Sequence, residues 1–209
     1  MKREEGGAGM DNTIFSFTEA LASSAPTPGG GGAAGLIAAL GASLGAMAAR
    51  ISAKKRDTAE LAERCEALRL RALALIEADE EAFLPLSAAY RLPKDAPNRA
   101  ETLRRAALDA CQPGVNLLLL CAEAADVLAA LREKASPLLL SDVGCAAAAC
   151  RAALLCAAMN VYVNTKPCSG DAEAARLNAL AESALQAALP KLEDTELQIL
   201  LRLRDGNDG

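Results

Sequence analysis

One acidic residue is placed where it could transfer protons, and another begins an apolar helix. Asp79 lies in "IEADEEAF" and Asp142 begins the apolar segment "SDVGCAAAAC". In a helix, Asp79 shares its face with Leu75, Ile76 and Phe83. A carboxyl group on an apolar face holds its proton more tightly and suits acid–base chemistry, whereas a solvated helix edge would leave it without a role. Because the chain has no histidine, such chemistry must use Asp, Glu, Lys, Cys or Tyr.

A glycine run provides a second possible binding feature. Residues 26–32 read "PTPGGGG" and lead into a segment rich in Ala and Gly. Bare backbone N–H groups at a helix start can bind an anion, and they also let a flat ring lie against the backbone. No lysine follows and no strand precedes, so a nucleotide-binding loop is poorly supported. The alternative is a helix start that needs tight packing.

Polar residues on apolar segments and in loops form the third feature. Asn160 and Asn164 are four residues apart, so their amides line one helix face, where they could orient a polar ring or bond neighbouring helices. A charge at Arg151 must reach solvent or find a partner. Basic residues near two loops could hold an anionic substrate or be solvated: Arg50, Lys54, Lys55, Arg56, Arg91 and Lys94.

Composition predicts an all-α fold. Hydrophobic residues make up 52% of the chain and aromatic residues only 2%, so the apolar content is mainly Ala and Leu, which favour helix. We expect a bundle of about six or seven long helices in one domain, residues 12–205, after a flexible arm, residues 1–11. A capping box at Ser16–Glu19, a cap at Ser141 or Asp142, and kinks at Pro85 and Pro190 are predicted. The predicted helices are 16–24, 31–52, 58–90, 97–111 with a continuation to 134, 143–164 and 171–204.

Several classes of protein are disfavoured. The net charge is −5 with few aromatic residues, which argues against nucleic acid as a partner. Seven cysteines without a C-x-x-C pair, and no secretion signal, indicate reduced thiols in a cytoplasmic protein. Residues 29–49 carry no charge and could span a membrane, but their Gly and Ala content favours a buried central helix. Two helices that are apolar nearly all round predict a homodimer.

The motifs in combination resemble the cyclodeaminase/cyclohydrolase family, which forms the C-terminal domain of formiminotransferase-cyclodeaminase and also occurs as a free-standing bacterial protein. The resemblance covers roughly residues 12–190 and rests on "PTPGGGG", "DEEAF", "YRLPK", "SDVGCAA" and "NVYVN" in this order. It implies an all-helical dimer that acts on folates without a metal or organic cofactor. Members release ammonia from formiminotetrahydrofolate, or interconvert methenyl- and formyltetrahydrofolate by adding water.

The resemblance also implies roles for individual residues. Asp79 or Asp142 would stabilise the methenyl cation and take a proton from water. Lys94, or Asp79 in its protonated form, would protonate the departing amine, and Arg50 and Lys54 would hold the glutamate tail. The implied substrate contacts are Pro28, Gly29, Gly30, Gly31, Asn160 and Asn164.

Two positions differ from the family pattern. Gly32 stands where the family often has serine, and Ala135–Ser136 stands where it usually has a Gly-Asn step. The second difference favours an alternative from another class, a non-catalytic helical dimer that binds a folate-like ligand or a protein partner.

Overall fold

The computed structural model describes residues 13–206, and within this range the chain forms seven α-helices, two 3₁₀ turns and no strand. The all-α prediction is confirmed, while the predicted arm, residues 1–11, lies outside the described residues. Five of the helices exceed 20 residues. The helices are α1 (Ile14–Leu21), α2 (Gly30–Ser52), α3 (Ala59–Tyr90), α4 (Arg99–Asp109), α5 (Gln112–Lys134), α6 (Leu140–Thr165) and α7 (Ala172–Asp205).

The predicted helix caps are wrong. Thr13 caps α1, because its Oγ1 accepts a hydrogen bond from the Ser16 N–H at 3.2 Å. A 3₁₀ turn at Pro137–Leu139 leads directly into α6, so this helix begins before Ser141, and Asp142 lies in its first turn.

The predicted proline sites lie inside helices. Pro85 lies inside α3 and Pro190 inside α7, and neither ends its helix. The break between α4 and α5 falls at Ala110–Cys111, just before Pro113, which is in the first turn of α5.

Helix α2 lies at the centre of the bundle and runs antiparallel to two neighbours. A Cβ atom on Gly35 would contact Ile76, and one on Gly45 would contact Cys65, so α3 runs opposite to α2. At the other flank Gly41 faces Cys150 of α6. Since α3 and α6 are both antiparallel to α2, they are parallel to each other.

Small residues on the buried face of α2 permit these contacts. A Cβ on Gly41 would lie 2.8 Å from Cys150 Sγ and 3.0 Å from the Ala146 carbonyl oxygen, which is closer than packed atoms approach. The buried positions of α2 are Gly32, Ala34, Gly35, Ala38, Ala39, Gly41, Ala42, Gly45, Ala46, Ala48, Ala49 and Ser52. The predicted buried central helix is therefore seen.

Larger side chains from α5, α6 and α7 complete the core. Leu120 and Leu128 of α5, Leu154 of α6 and Leu192 of α7 are each at most 1% exposed. The predicted pairing of Arg151 is also seen, because its guanidinium donates to Glu196 of α7 at 2.8 Å. The core thus combines closely packed Ala and Gly residues of α2 with leucine side chains of α5, α6 and α7.

Within residues 13–206, three helical segments are long and apolar enough to cross a membrane, by length and composition alone: Gly30–Ser52, Arg99–Lys134 and Pro137–Cys168. In Gly30–Ser52, 61% of the most apolar 18-residue stretch is buried inside the protein. The apolar character of α2 is therefore largely used in packing against other helices.

The cysteines are all free thiols. Burial raises the pKa of Cys65 to about 11 and that of Cys150 to about 12, so both remain protonated and pack as small apolar groups. Five of the seven are buried, whereas Cys145 is exposed and Cys156 is half-buried.

The close approach of α2 to α6 predicts a large cost for a side chain at Gly41. Gly41→Val should lower the free energy of unfolding by about 1 to 3 kcal/mol, because Cys150 and the Ala146 carbonyl leave no room for it. Urea denaturation followed by circular dichroism would measure this. The control, Ala187→Val, adds valine at an exposed position of α7 and should cost much less. An equal loss in both variants would contradict tight packing at Gly41.

Candidate active site

The Asp79 carboxylate lies against the first turn of α2. A Cβ atom on Gly31 would overlap the carboxylate, so any larger residue at this position would displace the Asp79 side chain. The backbone N–H of Gly32 acts on Asp79 electrostatically and favours its ionised form. The Asp79 carboxylate thus lies at the N-terminus of α2, where Gly29 has no side chain to cap the helix.

Opposing effects act on the proton affinity of this carboxyl group. Burial raises the pKa of Asp79, the backbone N–H of Gly32 lowers it, and the negative charge of Glu80 raises it further. The net shift is upward. Among residues 13–206, Asp79 has no ion-pair partner. The prediction that Asp79 lies on an apolar face with raised proton affinity agrees with this arrangement.

Asn160 approaches the same turn of α2 from α6. A Cβ atom on Gly30 would lie 3.4 Å from both Asn160 Nδ2 and Oδ1. The Nδ2 group donates to the Cys156 carbonyl oxygen at 2.8 Å, which fixes the orientation of the amide. The structure therefore brings together Gly30, Gly31, Asp79 and Asn160 from three helices.

The segment before α2 is held against α3. Thr27 Oγ1 donates a hydrogen bond to Glu80 Oε1 at 2.8 Å. The Thr27–Pro28 peptide bond is cis, and Pro28 packs over Gly32, whose Cβ position lies 3.3 Å from Pro28 Cβ. Phe17 of α1 reaches the same glycine at 4.0 Å. Pro28 therefore lies beside the site as predicted.

Two further predicted residues lie near this end of the bundle but have other contacts. The Asn164 side chain donates to the Ala110 carbonyl oxygen at 3.4 Å, which ties α6 to the end of α4. Lys94 is exposed in the loop after α3. Helix α3 itself ends about 16 Å beyond Asp79, at a rise of about 1.5 Å per residue. The structure thus does not bring Lys94 into contact with Asp79.

The remaining predicted residues lie at the opposite end of the bundle. Arg50 is separated from Gly30 by about 30 Å of helix, and it donates to Glu66 at 3.0 Å. Lys54 follows in the next turn. Asp142 lies about 27 Å along α6 from Asn160. Within one chain, the structure therefore does not assemble these three with Asp79.

The sequence of residues 13–183 matches the formiminotransferase-cyclodeaminase family profile, which covers most of the chain and includes the glycine turn, Asp79 and Asn160. The chain belongs to this family. It is 36% identical over 167 residues to a methenyltetrahydrofolate cyclohydrolase of Methylorubrum extorquens, an alignment that covers 75% of this chain and 80% of that protein. A formimidoyltransferase-cyclodeaminase of Mus musculus is 28% identical over 190 residues, and the match covers 86% of this chain but 35% of that protein.

A solved structure of the family has the same fold. A formiminotetrahydrofolate cyclodeaminase from Thermotoga maritima superposes with a TM-score of 0.77 at 23% identity, covering 91% of this chain and 98% of that chain. The helical architecture of the family is therefore conserved in this protein.

Sequence reasoning missed two residues that contribute to the site. Thr27 and Glu80 form the hydrogen bond that positions the start of α2, although they are 53 residues apart. Glu80 could have been noticed as the neighbour of Asp79, but nothing in the sequence pairs it with Thr27. Within the part of the chain that the structure describes, no group of three or more His, Cys, Asp or Glu residues could hold a metal ion.

The raised pKa of Asp79 predicts how its replacement affects stability. Because the folded protein holds this proton more tightly than the unfolded chain, ionisation costs stability as pH rises from the ordinary value of 3.8 through the raised value. Asp79→Asn keeps a side-chain oxygen for the Gly32 N–H and avoids that cost. Its free energy of unfolding should equal that of the wild type in acid and exceed it at pH 8, as measured by urea denaturation.

Glu77→Gln is the control for this comparison, since Glu77 is exposed on the same helix. It should change stability little at either pH. A variant Asp79→Asn that is less stable than the wild type at pH 8 would show that the ionised carboxylate stabilises the fold.

Proposed function

We propose that this protein is a folate one-carbon enzyme that acts on formiminotetrahydrofolate as a cyclodeaminase or on methenyltetrahydrofolate as a cyclohydrolase. The observation that carries the proposal is the Asp79 carboxyl group with its raised pKa, held against the bare first turn of α2 in a chain that belongs to this family. The names of the relatives from Methylorubrum extorquens and Mus musculus support the two reactions.

Asp79 has a role in either reaction. In the cyclohydrolase direction, ionised Asp79 stabilises the cationic methenyl group and accepts a proton from the water that adds to the methenyl carbon. In the cyclodeaminase direction, the second folate nitrogen attacks the formimino carbon, and its proton passes to the formimino nitrogen. Protonated Asp79 gives that nitrogen a second proton as its bond to carbon breaks, so that it leaves as ammonia and the methenyl cation forms. A raised pKa brings both protonation states closer to neutral pH, which suits a group that must change between them.

The surroundings of Asp79 suit a flat polar ring. Gly30 and Gly31 present no side chain, so a ring can approach the backbone, and Asn160 Oδ1 can accept a hydrogen bond from a ring N–H. Catalytic roles for Asp142 and Lys94, and a tail-binding role for Arg50 and Lys54, remain predictions. In the same chain Arg50 lies about 30 Å from Gly30, so it could reach a ligand at Asp79 only from a second subunit. No metal or organic cofactor enters the proposed chemistry.

We also propose that the protein is a homodimer formed through the outward faces of α2 and α6. Leu40, Met47 and Ile51 of α2 are 49%, 38% and 47% exposed, and Met159 and Val163 of α6 are 64% and 62% exposed. These residues recur at helical spacing on two adjacent helices, and α2 carries no charge before Arg50. An apolar surface of this kind is typical of an interface, and it borders the site through Asn160.

Within one chain, the departure at Ala135–Ser136 lies away from Asp79. The Ser136 N–H donates to Ser52 Oγ at 2.8 Å, at the same end of α2 as Arg50. The names of the relatives favour an enzyme over a non-catalytic binding protein. We further propose a cytoplasmic location, with purification that needs no detergent and no affinity for nucleic acid.

The function is tested by following the methenyl chromophore in two reactions. Purified protein should consume methenyltetrahydrofolate if it is a cyclohydrolase, or form it from formiminotetrahydrofolate with release of ammonia if it is a cyclodeaminase. Asp79→Asn should lower turnover at least about 100-fold, because general acid–base catalysis contributes that much. Circular dichroism would verify that the variant is folded.

Glu77→Gln should retain wild-type turnover in the same assay. If neither substrate is converted above the rate without protein, the enzymatic proposal fails and folate binding without turnover becomes the leading explanation. Full activity of Asp79→Asn would remove Asp79 from the catalytic residues.

The dimer is tested by placing a charge on the proposed interface. Leu40→Glu should convert the dimer to a monomer, as measured by size-exclusion chromatography with light scattering, because burying an unpaired carboxylate opposes association. Leu203→Glu is the control, since Leu203 of α7 is also 49% exposed but lies off this surface. A wild-type monomer, or a dimer that survives Leu40→Glu, would contradict the proposed interface.

A further inference from the structure

Two consecutive carboxylates of α3 lie against the backbone that enters α2. The Asp79 carboxylate occupies the space of a Cβ atom on Gly31, and Glu80 accepts a hydrogen bond from the hydroxyl of Thr27 at 2.8 Å. We propose that Glu80 is a positioning residue for the Asp79 site, acting through Thr27 on the glycine turn that faces the Asp79 carboxylate. The hydrogen-bond part of this inference stands on geometry alone, whereas its kinetic consequences rest on the proposed function.

The residue that begins the glycine turn has few contacts of its own, so the turn needs an anchor on that side. A Cβ atom on Gly29 would have nothing within 4 Å, and Gly29 offers no side chain to cap the helix. Consecutive glycines also lose more conformational freedom on ordering than other residues. On one side the turn is fixed by the body of α2, and on the other by the hydrogen bond between Thr27 and Glu80.

Glu80 also acts on Asp79 through its charge. Its carboxylate raises the pKa of the neighbouring Asp79. The other elements that reach Asp79 offer little to offset this: α2 presents backbone N–H groups, α6 presents the neutral amide of Asn160, and α1 carries only the exposed Glu19. The first turns of α5 carry no charged residue before Glu123. Among the described residues, Glu80 is the charged side chain that acts on the pKa of Asp79.

The two effects of Glu80 can be separated by substitution. Thr27→Val removes the hydroxyl donor and keeps the charge of Glu80. Glu80→Gln removes the charge and keeps an amide oxygen that can accept from Thr27. Thr27→Ser retains the donor and is the matched control for the first variant, and Glu77→Gln removes an exposed charge from the same helix and is the matched control for the second.

Hydrogen exchange of the apo protein tests the anchor without reference to activity. In Thr27→Val, the backbone amide of Ala33, which donates to the Gly29 carbonyl oxygen at 3.0 Å, should exchange about three- to tenfold faster, as expected for loss of one hydrogen bond. Thr27→Ser should retain the wild-type rates, and Glu80→Gln should stay near them. Unchanged exchange in Thr27→Val would overturn the positioning role.

Carboxyl ¹³C NMR of the apo protein tests the charge effect. In Glu80→Gln, the titration of Asp79 should move to lower pH, because the ionised form of Asp79 no longer meets a neighbouring negative charge. Thr27→Val and Glu77→Gln should leave that titration near the wild-type position. An unchanged titration in Glu80→Gln would overturn this part of the proposal.

Kinetics connect the proposal to turnover. Thr27→Val should raise KM while leaving the pH–rate profile in place, and Thr27→Ser should restore KM. Glu80→Gln should shift the limb of the profile that belongs to Asp79 to lower pH, whether Asp79 acts as acid or base, with little change in KM. A general loss of structure would change KM and the pH–rate profile together in both variants. If the wild type converts neither folate, the proposed function fails, while exchange and NMR still decide the role of Glu80.

Discussion

The structure depends on the close approach of α2 to α3 and α6. Glycine and alanine on the buried face of α2 let the backbones come so near that Cys150 and the Ala146 carbonyl occupy the space of a Gly41 side chain. The same contact at the N-terminal end places Gly31 against Asp79. Packing and the geometry of the candidate site are therefore consequences of one constraint, because a helix with larger residues would stand too far from α3 for its first turn to meet the carboxylate.

The antiparallel arrangement determines which groups can cooperate. The N-terminus of α2 meets the C-terminal halves of α3 and α6, so a helix start, a carboxyl group and an amide converge from distant parts of the sequence. Burial and the charge of Glu80 favour the neutral form of Asp79, whereas the helix start favours the ionised form. A carboxyl group under opposed influences of this kind can exchange a proton with a substrate.

Much of this fold could be predicted from the sequence. Ala and Leu content predicts the helices, and the boundaries of α2 and α3 differ from those expected by one residue. The placement of Asp79 on an apolar face followed from helical spacing alone. The separation of Arg50 from Gly30 was already contained in the predicted length of the helix between them. The hydrogen bond from Thr27 to Glu80 could not be predicted, because it depends on the path of a short loop over α3.

The glycine and alanine face of α2 also limits how this protein can vary. A Cβ atom added at Gly35, Gly41 or Gly45 would meet atoms of α3, α5 or α6. In contrast, Leu40, Met47 and Ile51 on the outward face are at least 38% exposed. Sequence change in α2 is therefore confined to its outward face. Relatives that differ in how their subunits associate can differ on that face while the geometry around Asp79 stays the same.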